Sequence, residues 1–375
     1  MAAILRTARA DEFDDLMRFL DLSYGCAKNS FTQWYPHLYF RDSAACSCNY
    51  VICDEGRIVS NVGAFPVEVV NSGVRVKLAG IGSVASLPEE RKKGHMTRLM
   101  NHVVGVLREQ GYLLSALFGD RHRYAVFGWE RAGLVYRLQF TARSLDRAGV
   151  APVAIEERSL AECLALIERY HEGGEFYSIR PELARQVHKS GLRAWAAADG
   201  YAAGWAERDG SVSLAELACA PGREAGMIRA IRERTLAHTV TWPIPSFAYQ
   251  TLTRLMPSAS TWSGETPGVY RIFDLARLLS AYQPVIESRT EGVSDFGVAI
   301  GIREPDRVVA ATIVLRSGKL EIAEGRHVGS YVELDCMEAV RLFLGGPPGP
   351  NWMNLPGGLK ALLPLPIHIP PMDWF

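Results

Sequence analysis

The chain has 375 residues, with Lys+Arg and Asp+Glu balanced at 41 each, so bulk charge argues against general binding to nucleic acid or an anionic membrane and leaves only a local basic patch. Its length suggests two or three domains at ~150 residues each, and a hydrophobic fraction of 48% lets each bury a core. The opening MAAILRTARADEF has acids by residue 11 and no apolar run of signal-peptide length, and no stretch approaches ~18 uninterrupted apolar residues, so a cytoplasmic protein without a membrane span is expected.

Residues 1–147 read as alternating strands and helices. A strand at 3–7 precedes a helix with Phe13, Leu16, Met17 and Leu20 at i, i+3, i+4 and i+7 and Gly25 as its stop. Apolar runs at 49–53 and 58–65 flank Asp54-Glu55-Gly56-Arg57, a hairpin signal. Cys46, Cys48 and Cys53 cluster here, but C-x-C-x4-C is not a zinc spacing, so reduced structural thiols and no metal are expected. Asn71-Ser72-Gly73 marks the next turn, and a strand over 74–87 runs into RKKGHM at 91–96. A helix over 94–110 follows, with Leu99, Met100, Val103 and Leu107 on one face and Gly111 as its stop. A short apolar strand at 112–118, a helical turn around Arg123 and Tyr124, and a strand at 134–141 complete this part.

Residues 152–283 repeat that order: a strand at 153–155, a helix at 160–170, strands at 193–198, 201–207 and 211–219, a helix at 226–238, a strand at 240–244, a helix at 249–255 and a strand at 269–273. Asp199-Gly200 and Asp209-Gly210 are hairpin turns. The order of elements points to a diverged internal duplication. In residues 284–375, Val298, Ile300 and Ile302 alternate, as do Leu320 and Ile322 after Ser317-Gly318, which is half-buried antiparallel sheet. Asp335 and Glu338 form a capping-box pattern ahead of a helix face of Met337, Val340 and Leu344. The proline-rich tail carries too many large apolar groups to lie in water and is expected to be tucked into the protein.

The cations of RKKGHM need a reason, because like charges repel. A helix start offers unpaired N–H groups and a positive dipole end. Gly94 permits close approach to the backbone, and Arg91, Lys92 and Lys93 add charge; together they suit a polyanion, most simply a pyrophosphate. If the strand before it has a free edge near Val84 and Ser86, an amide-bearing ligand could pair there as a strand would. Pantetheine has two amides, and coenzyme A joins pantetheine to a pyrophosphate. Alone, R-x-x-G far more often marks a solvated basic loop ahead of a helix. The corresponding stretch of the second unit, Pro221-Gly222-Arg223-Glu224-Ala225-Gly226, has one cation and one acid, so one coenzyme per chain is expected.

The strand, loop, helix, next strand and then RYAVFGW at 123–129 resemble the GNAT acetyltransferase superfamily, whose phosphate motif is Q/R-x-x-G-x-G/A. Met96 departs from the small residue at the last position. The closer resemblance is to the enhanced intracellular survival (Eis) protein family, where the loop reads R-R-R-G-L-L and I-Y-G-R-F-G-Y follows the next strand. That resemblance implies an α+β (mixed α/β) chain of two tandem GNAT-like domains, 1–148 and 149–283, and a sterol-carrier-protein-like domain, 284–375, ending in an aromatic residue as Trp374-Phe375 does. It implies N-acetyl transfer from acetyl-CoA, without metal, to a primary amine: an aminoglycoside, polyamine or lysine-like acceptor. The family is hexameric, which implies a homo-oligomer.

The family's general-acid tyrosine matches Tyr124, and its terminal-carboxylate base matches Phe375. A tyrosine titrating near ~10 stays protonated and can donate to a thiolate of pKa near ~8.5. A carboxylate near ~3.5 is a weak base, which burial would strengthen. Coenzyme contacts carry over to Val84, Ala85 and Ser86 and to Arg91, Lys92, Lys93, Gly94, His95, Met96 and Thr97. A family Ser-Glu pair becomes Gly119-Asp120, which loses a hydroxyl. Trp34, Tyr35 and Trp374 are candidates for the acceptor pocket or for plain core. The rival from another class is a non-catalytic lipid or acyl-CoA binding protein of the sterol-carrier type, which would need neither the Arg91–Gly94 loop nor Tyr124.

Overall fold

The computed structural model describes residues 3–375. Strand β1 (Ile4–Thr7) leads into helix α1 (Phe13–Tyr24), which buries Leu16, Met17, Phe19 and Leu20 and ends where Gly25 takes a φ of 63°, a left-handed geometry free of Cβ strain in glycine. Two short helices follow, α2 (Ser30–Trp34) and α3 (Ser43–Ser47), the second capped by the Asp42 carboxylate at the amides of Ala44 and Ala45. The hairpin of β2 (Asn49–Asp54) and β3 (Arg57–Asn71) turns at the expected position, and β4 (Val74–Ser86) returns along β3. Helix α4 (His95–Glu109) buries the expected face of Leu99, Met100, Val103 and Leu107. Then come β5 (Leu114–Leu117), α5 (Arg121–Ala125), β6 (Glu130–Ala132), β7 (Val135–Thr141) and α6 (Ala142–Arg147).

The strand expected at 153–155 does not form. The Val153 amide donates to the Gly226 carbonyl, and the strand instead falls on β8 (Glu156–Arg158). Helix α7 (Leu164–Tyr170), β9 (Phe176–Ile179), α8 (Leu183–Gln186) and the meander β10 (Arg193–Ala197), β11 (Gly200–Ala206) and β12 (Val212–Cys219) follow. Next are α9 (Glu224–Thr235), β13 (Thr239–Pro245), α10 (Tyr249–Leu255), β14 (Thr261–Glu265), β15 (Gly268–Ile272), α11 (Leu275–Ala281) and α12 (Gln283–Glu287). The last part holds β16 (Phe296–Arg303), β17 (Val308–Arg316), β18 (Lys319–Glu324), β19 (Tyr331–Asp335) and α13 (Cys336–Leu344). The capping box at α13 is formed: the Glu338 amide donates to Asp335 at 2.7 Å, and the Asp335 amide donates to Glu338 at 3.2 Å.

This is a mixed α/β chain built on three sheets. The first runs β1-β2-β3-β4-β5-β15-β6, with β9 also paired to β3; the second runs β14-β7-β13-β12-β11-β10-β8; the third runs β18-β17-β16-β19. The first two sheets are not contiguous in sequence. Strand β7 crosses to pair with β13, and β15 crosses back to sit between β5 and β6.

One face of the first sheet packs on α1 and α4, through residues such as Leu20, Val62, Leu99 and Val103. Its other face packs on the C-terminal part: Val76, Leu78, Leu114 and Ala116 share a cluster with Ile300, Ile313 and Phe343. Buried ions tie these layers, with Glu304 held by Arg271 at 2.8 Å and Arg108 at 2.6 Å. The tail is tucked in as its composition predicts. Leu365, Ile367, Ile369 and Met372 are buried, and its carbonyls at Pro366 and His368 accept from Tyr282 and Asn71. Among the described residues no helix is long and apolar enough to cross a membrane.

Candidate active site

Parallel pairing of β4 with β5 covers only Leu78–Ile81 against Leu114–Leu117, while β4 runs on to Ser86. The two strands therefore part. A bulge helps: the β3–β4 register slips between Asn61 and Gly63, and Ser83 takes a φ of 47°. Side chains from β3 hold the bulge. Asn61 Nδ2 donates to the Ser83 carbonyl at 3.0 Å, and Ser60 Oγ donates to the Ala85 carbonyl at 2.9 Å. Beyond Ile81 the opposite edge of β4 faces the opening with no strand on it.

A cavity of about 800 Å³ lies along that edge and the start of α4. Val84, Ala85, Ser86, Arg91, Lys92, Gly94, His95, Met96 and Thr97 all line it, joined by Tyr24, which the sequence did not single out, and by Arg123, the first residue of RYAVFGW. No side chain caps α4, and nothing lies within 4 Å of where a Cβ on Gly94 would stand. Its first-turn amides are thus open to an anion. Lys93 is drawn away to Glu90 at 2.9 Å, and His95 Nε2 lies 3.3 Å from the same carboxylate, which Lys93 and His95 hold below the usual range. Arg91 and Lys92 pair with no carboxylate among the described residues. Tyr24 donates its hydroxyl to the Val84 carbonyl at 3.2 Å.

Gly119 and Asp120 do not line this cavity. The Asp120 carboxylate caps α5 at the His122 amide, 2.9 Å away. A Cβ at Gly119 would stand 2.9 Å from Cε2 of Tyr124, so glycine makes room for that ring. Tyr124 is buried, and burial pushes its phenol upward, so it keeps its proton at neutral pH.

The C-terminus rests on the face of β4, one segment before the stretch that lines this cavity. A Cβ at Gly80 would lie 2.6 Å from the Phe375 ring, and one at Gly82 would lie 2.8 Å from the Phe375 carboxyl carbon. Two glycines of β4 thus form the floor on which the last residue rests. No cation pairs with the Phe375 carboxylate among the described residues. Trp374 stacks on Phe118 with centroids 4.3 Å apart and donates Nε1 to the Ile369 carbonyl. Tyr35 packs with Phe31 and Tyr39, and Trp34 packs beside Phe31 at 39% exposure; neither reaches the opening.

Behind the terminus lies a buried ionic cluster. Arg180, just past β9, holds Asp373 at 2.7 Å and Glu216 at 2.6 Å. Gln186 donates to Asp373 at 2.7 Å, and Lys189 donates to the Met372 carbonyl at 3.1 Å. His171 has an acceptor at each nitrogen, the Glu216 carboxylate at 2.7 Å and the Ser178 carbonyl at 2.6 Å, an arrangement only the imidazolium satisfies. Burial opposes that charge, but Glu216 outweighs it and raises the pKa. Tyr201 also donates to Glu216. A smaller cavity of about 250 Å³ reaches Phe375 from this side, lined by His37, Phe40, Phe65, Val67, Ile179 and others. No local signal marks these residues, because a loop, β3 and β9 meet there only in the folded chain.

The second sheet opens in the same way, with parallel pairing limited to Val212–Val240 and Ser213–Thr241. Its helix start is different. Glu224 stands at the first position of α9, paired with Arg254 at 2.6 Å, and Arg223 is taken by Asp199 at 2.9 Å.

Residues 5–132 match the family model described as acetyltransferase (GNAT) domain. No curated protein matches the chain significantly. Among solved structures, a conserved protein from Enterococcus faecalis V583, described as a probable N-acyltransferase, is 18% identical at a TM-score of 0.70, covering 92% of this chain and 90% of its own. A GCN5-related N-acetyltransferase from Kribbella flavida is 20% identical at 0.68, with 100% of both chains covered. Eis1 from Mycobacterium abscessus is 15% identical at 0.67, with 96% of both covered. These likenesses give the fold over nearly the whole chain. The domain match gives the chemistry: the first unit is an acetyltransferase domain, and the protein is an acetyltransferase enzyme that carries out acyl transfer.

Proposed function

We propose that this acetyltransferase moves an acetyl group from acetyl-CoA to a primary amine, with Tyr124 as general acid and the Phe375 carboxylate as general base. One observation carries the reading. The carboxyl carbon of Phe375 rests over Gly82 on the strand whose next segment, Val84–Ser86, lines the cavity leading to the uncapped start of α4. A base and a polyanion site thus lie along one strand, β4.

Acetyl-CoA supplies the activated acyl group. Arg91, Lys92 and the first amides of α4 would hold its diphosphate, and the free edge of β4 would take its amides. The terminal carboxylate accepts the proton that leaves the amine as the C–N bond forms. Tyr124 gives its proton to the sulfur as the C–S bond breaks. Glu224 at the matching helix start of the second sheet repels a phosphate, which supports one coenzyme per chain. The same reading takes residues 1–148 as the catalytic domain, 149–283 as a second GNAT-like domain without coenzyme, and 284–375 as a sterol-carrier-like domain delivering the carboxylate. A cytoplasmic setting and a homo-oligomer, hexameric in the family resembled, belong to it too.

Calorimetry with acetyl-CoA tests the proposal. The wild-type chain should bind, and the double variant Arg91→Glu, Lys92→Glu should lose at least about tenfold in affinity, as removal of charge-assisted contacts implies. No heat from the wild-type chain would overturn the proposal.

A further inference from the structure

We infer that the acceptor is a small monoamine with an apolar, ring-sized body, held in the cavity between α3, β3 and β9 with its one amino group at the terminal carboxylate; this rests on the acyl-transfer reading above. The cavity reaches Phe375 and is walled by apolar side chains from all three elements, Ala44, Phe65, Val67 and Ile179 among them. Its volume is about 250 Å³. An apolar cavity of ~150 Å³ already accepts benzene, so this one takes a ring and a short chain.

Charge decides between amines. The cavity has two side-chain acids, Asp373 and Glu182. Asp373 is consumed by Arg180 and Gln186, while Glu182 lies on an exposed turn beside Arg185 at 3.0 Å, where water screens its charge. The Phe375 carboxylate is then the one negative charge left without a cation among the described residues. It can balance one ammonium. Further ammonium groups drawn into the cavity would leave water without a free carboxylate to meet them, since Asp373 is already matched by Arg180.

His37 adds polar capacity without charge. It lines the cavity, and its Nδ1 is buried with no hydrogen-bond partner. Burial, with Lys189 and Arg180 nearby, pulls its pKa down to about 3, so the ring stays neutral. A neutral imidazole can bond to an amine N–H or a ring hydroxyl and gives no added pull on a polycation.

The test is thiol release by the full-length protein with acetyl-CoA. Phenethylamine, tyramine and tryptamine are set against spermidine and kanamycin. The arylalkylamines should show kcat/KM at least tenfold higher. Ala44→Glu places a carboxylate on an exposed position of α3 at the cavity wall and should cut that preference at least tenfold while acetyl-CoA affinity holds. Equal or better turnover of the polycations overturns the inference, as does an unchanged preference in Ala44→Glu. Acetyl-CoA binding without turnover of either amine class also overturns it and leaves the coenzyme site standing. Absence of acetyl-CoA binding overturns the proposed function itself.

Discussion

Arg180 holds Asp373 in a two-pronged ion pair, Nε to Oδ1 at 2.7 Å and Nη2 to Oδ2 at 2.8 Å. Arg180 follows a strand that pairs with β3, and Asp373 is two residues from the end of the sequence. The pair therefore fixes the terminal residue relative to the first sheet. Removing the guanidinium leaves two buried carboxylates, Asp373 and Glu216, without their main partner. Arg180→Met should cost about 3–5 kcal/mol of stability, as expected for breaking a buried pair. Asp373→Asn with Arg180→Met should recover part of it. In whatever fraction remains folded, kcat should fall while acetyl-CoA affinity stays, which stopped-flow kinetics and calorimetry together can check.

Tyr124→Phe keeps the ring that packs on Gly119 and removes only the hydroxyl. Turnover should fall by ~10²–10⁴-fold, the usual worth of a positioned acid. The dissociation constant for acetyl-CoA should change by less than about threefold, since Tyr124 does not line the cavity along α4. Normal turnover in this variant would remove Tyr124 from the mechanism.

One glycine added after Phe375 moves the carboxylate off its place over Gly82. Activity should drop at least ~10²-fold by the same acid–base reckoning, with little change in Tm. A fully active extended chain would rule out the terminal base.

The buried cluster gives stability a pH window. Asp373 and Glu216 are held below their ordinary pKa: burial opposes this, but Arg180 outweighs it for both, with His171 adding to it. Their stabilisation is present above the unfolded carboxylate range of about 4 and is lost as pH falls through their lowered values. His171 is raised, so its contribution is full below about 6.5 and is lost as pH climbs through its folded value. Tm measured across pH should decline on both sides, and His171→Gln should flatten the alkaline limb specifically. An unchanged alkaline limb in that variant would show that His171 does not titrate with folding.

Much of this was legible in the residues, for physical reasons. Hairpins at Asp54–Arg57, Asp199-Gly200 and Asp209-Gly210 announce themselves through turn chemistry, and α1 and α4 are long enough for a 3.6-residue period to show. The basic loop was readable because strand, glycine and helix are consecutive in the chain. Helices α2 and α3 were not readable, since five residues cannot establish a period. Val153 and Ile155 look like a strand but are spent packing against the second sheet's core. Tyr24 joins the cavity along α4 from a separate helix, and His37, Phe65 and Arg180 meet at the cavity behind Phe375 from three parts of the chain, so only tertiary structure assembles either lining. For Trp34, Tyr35 and Trp374 the sequence leaves acceptor pocket and plain core equally open, and their packing on Phe31 and Phe118 depends on tertiary contacts that no local pattern announces.

The crossing of β7 and β15 has a consequence for how the protein is made. Strand β5 stands at the middle of the finished first sheet, yet its second neighbour, β15, lies at Gly268–Ile272. During synthesis the growing chain must carry β5 as a bare edge until that distant segment leaves the ribosome, a long interval in which a stray strand from another nascent chain could add itself instead.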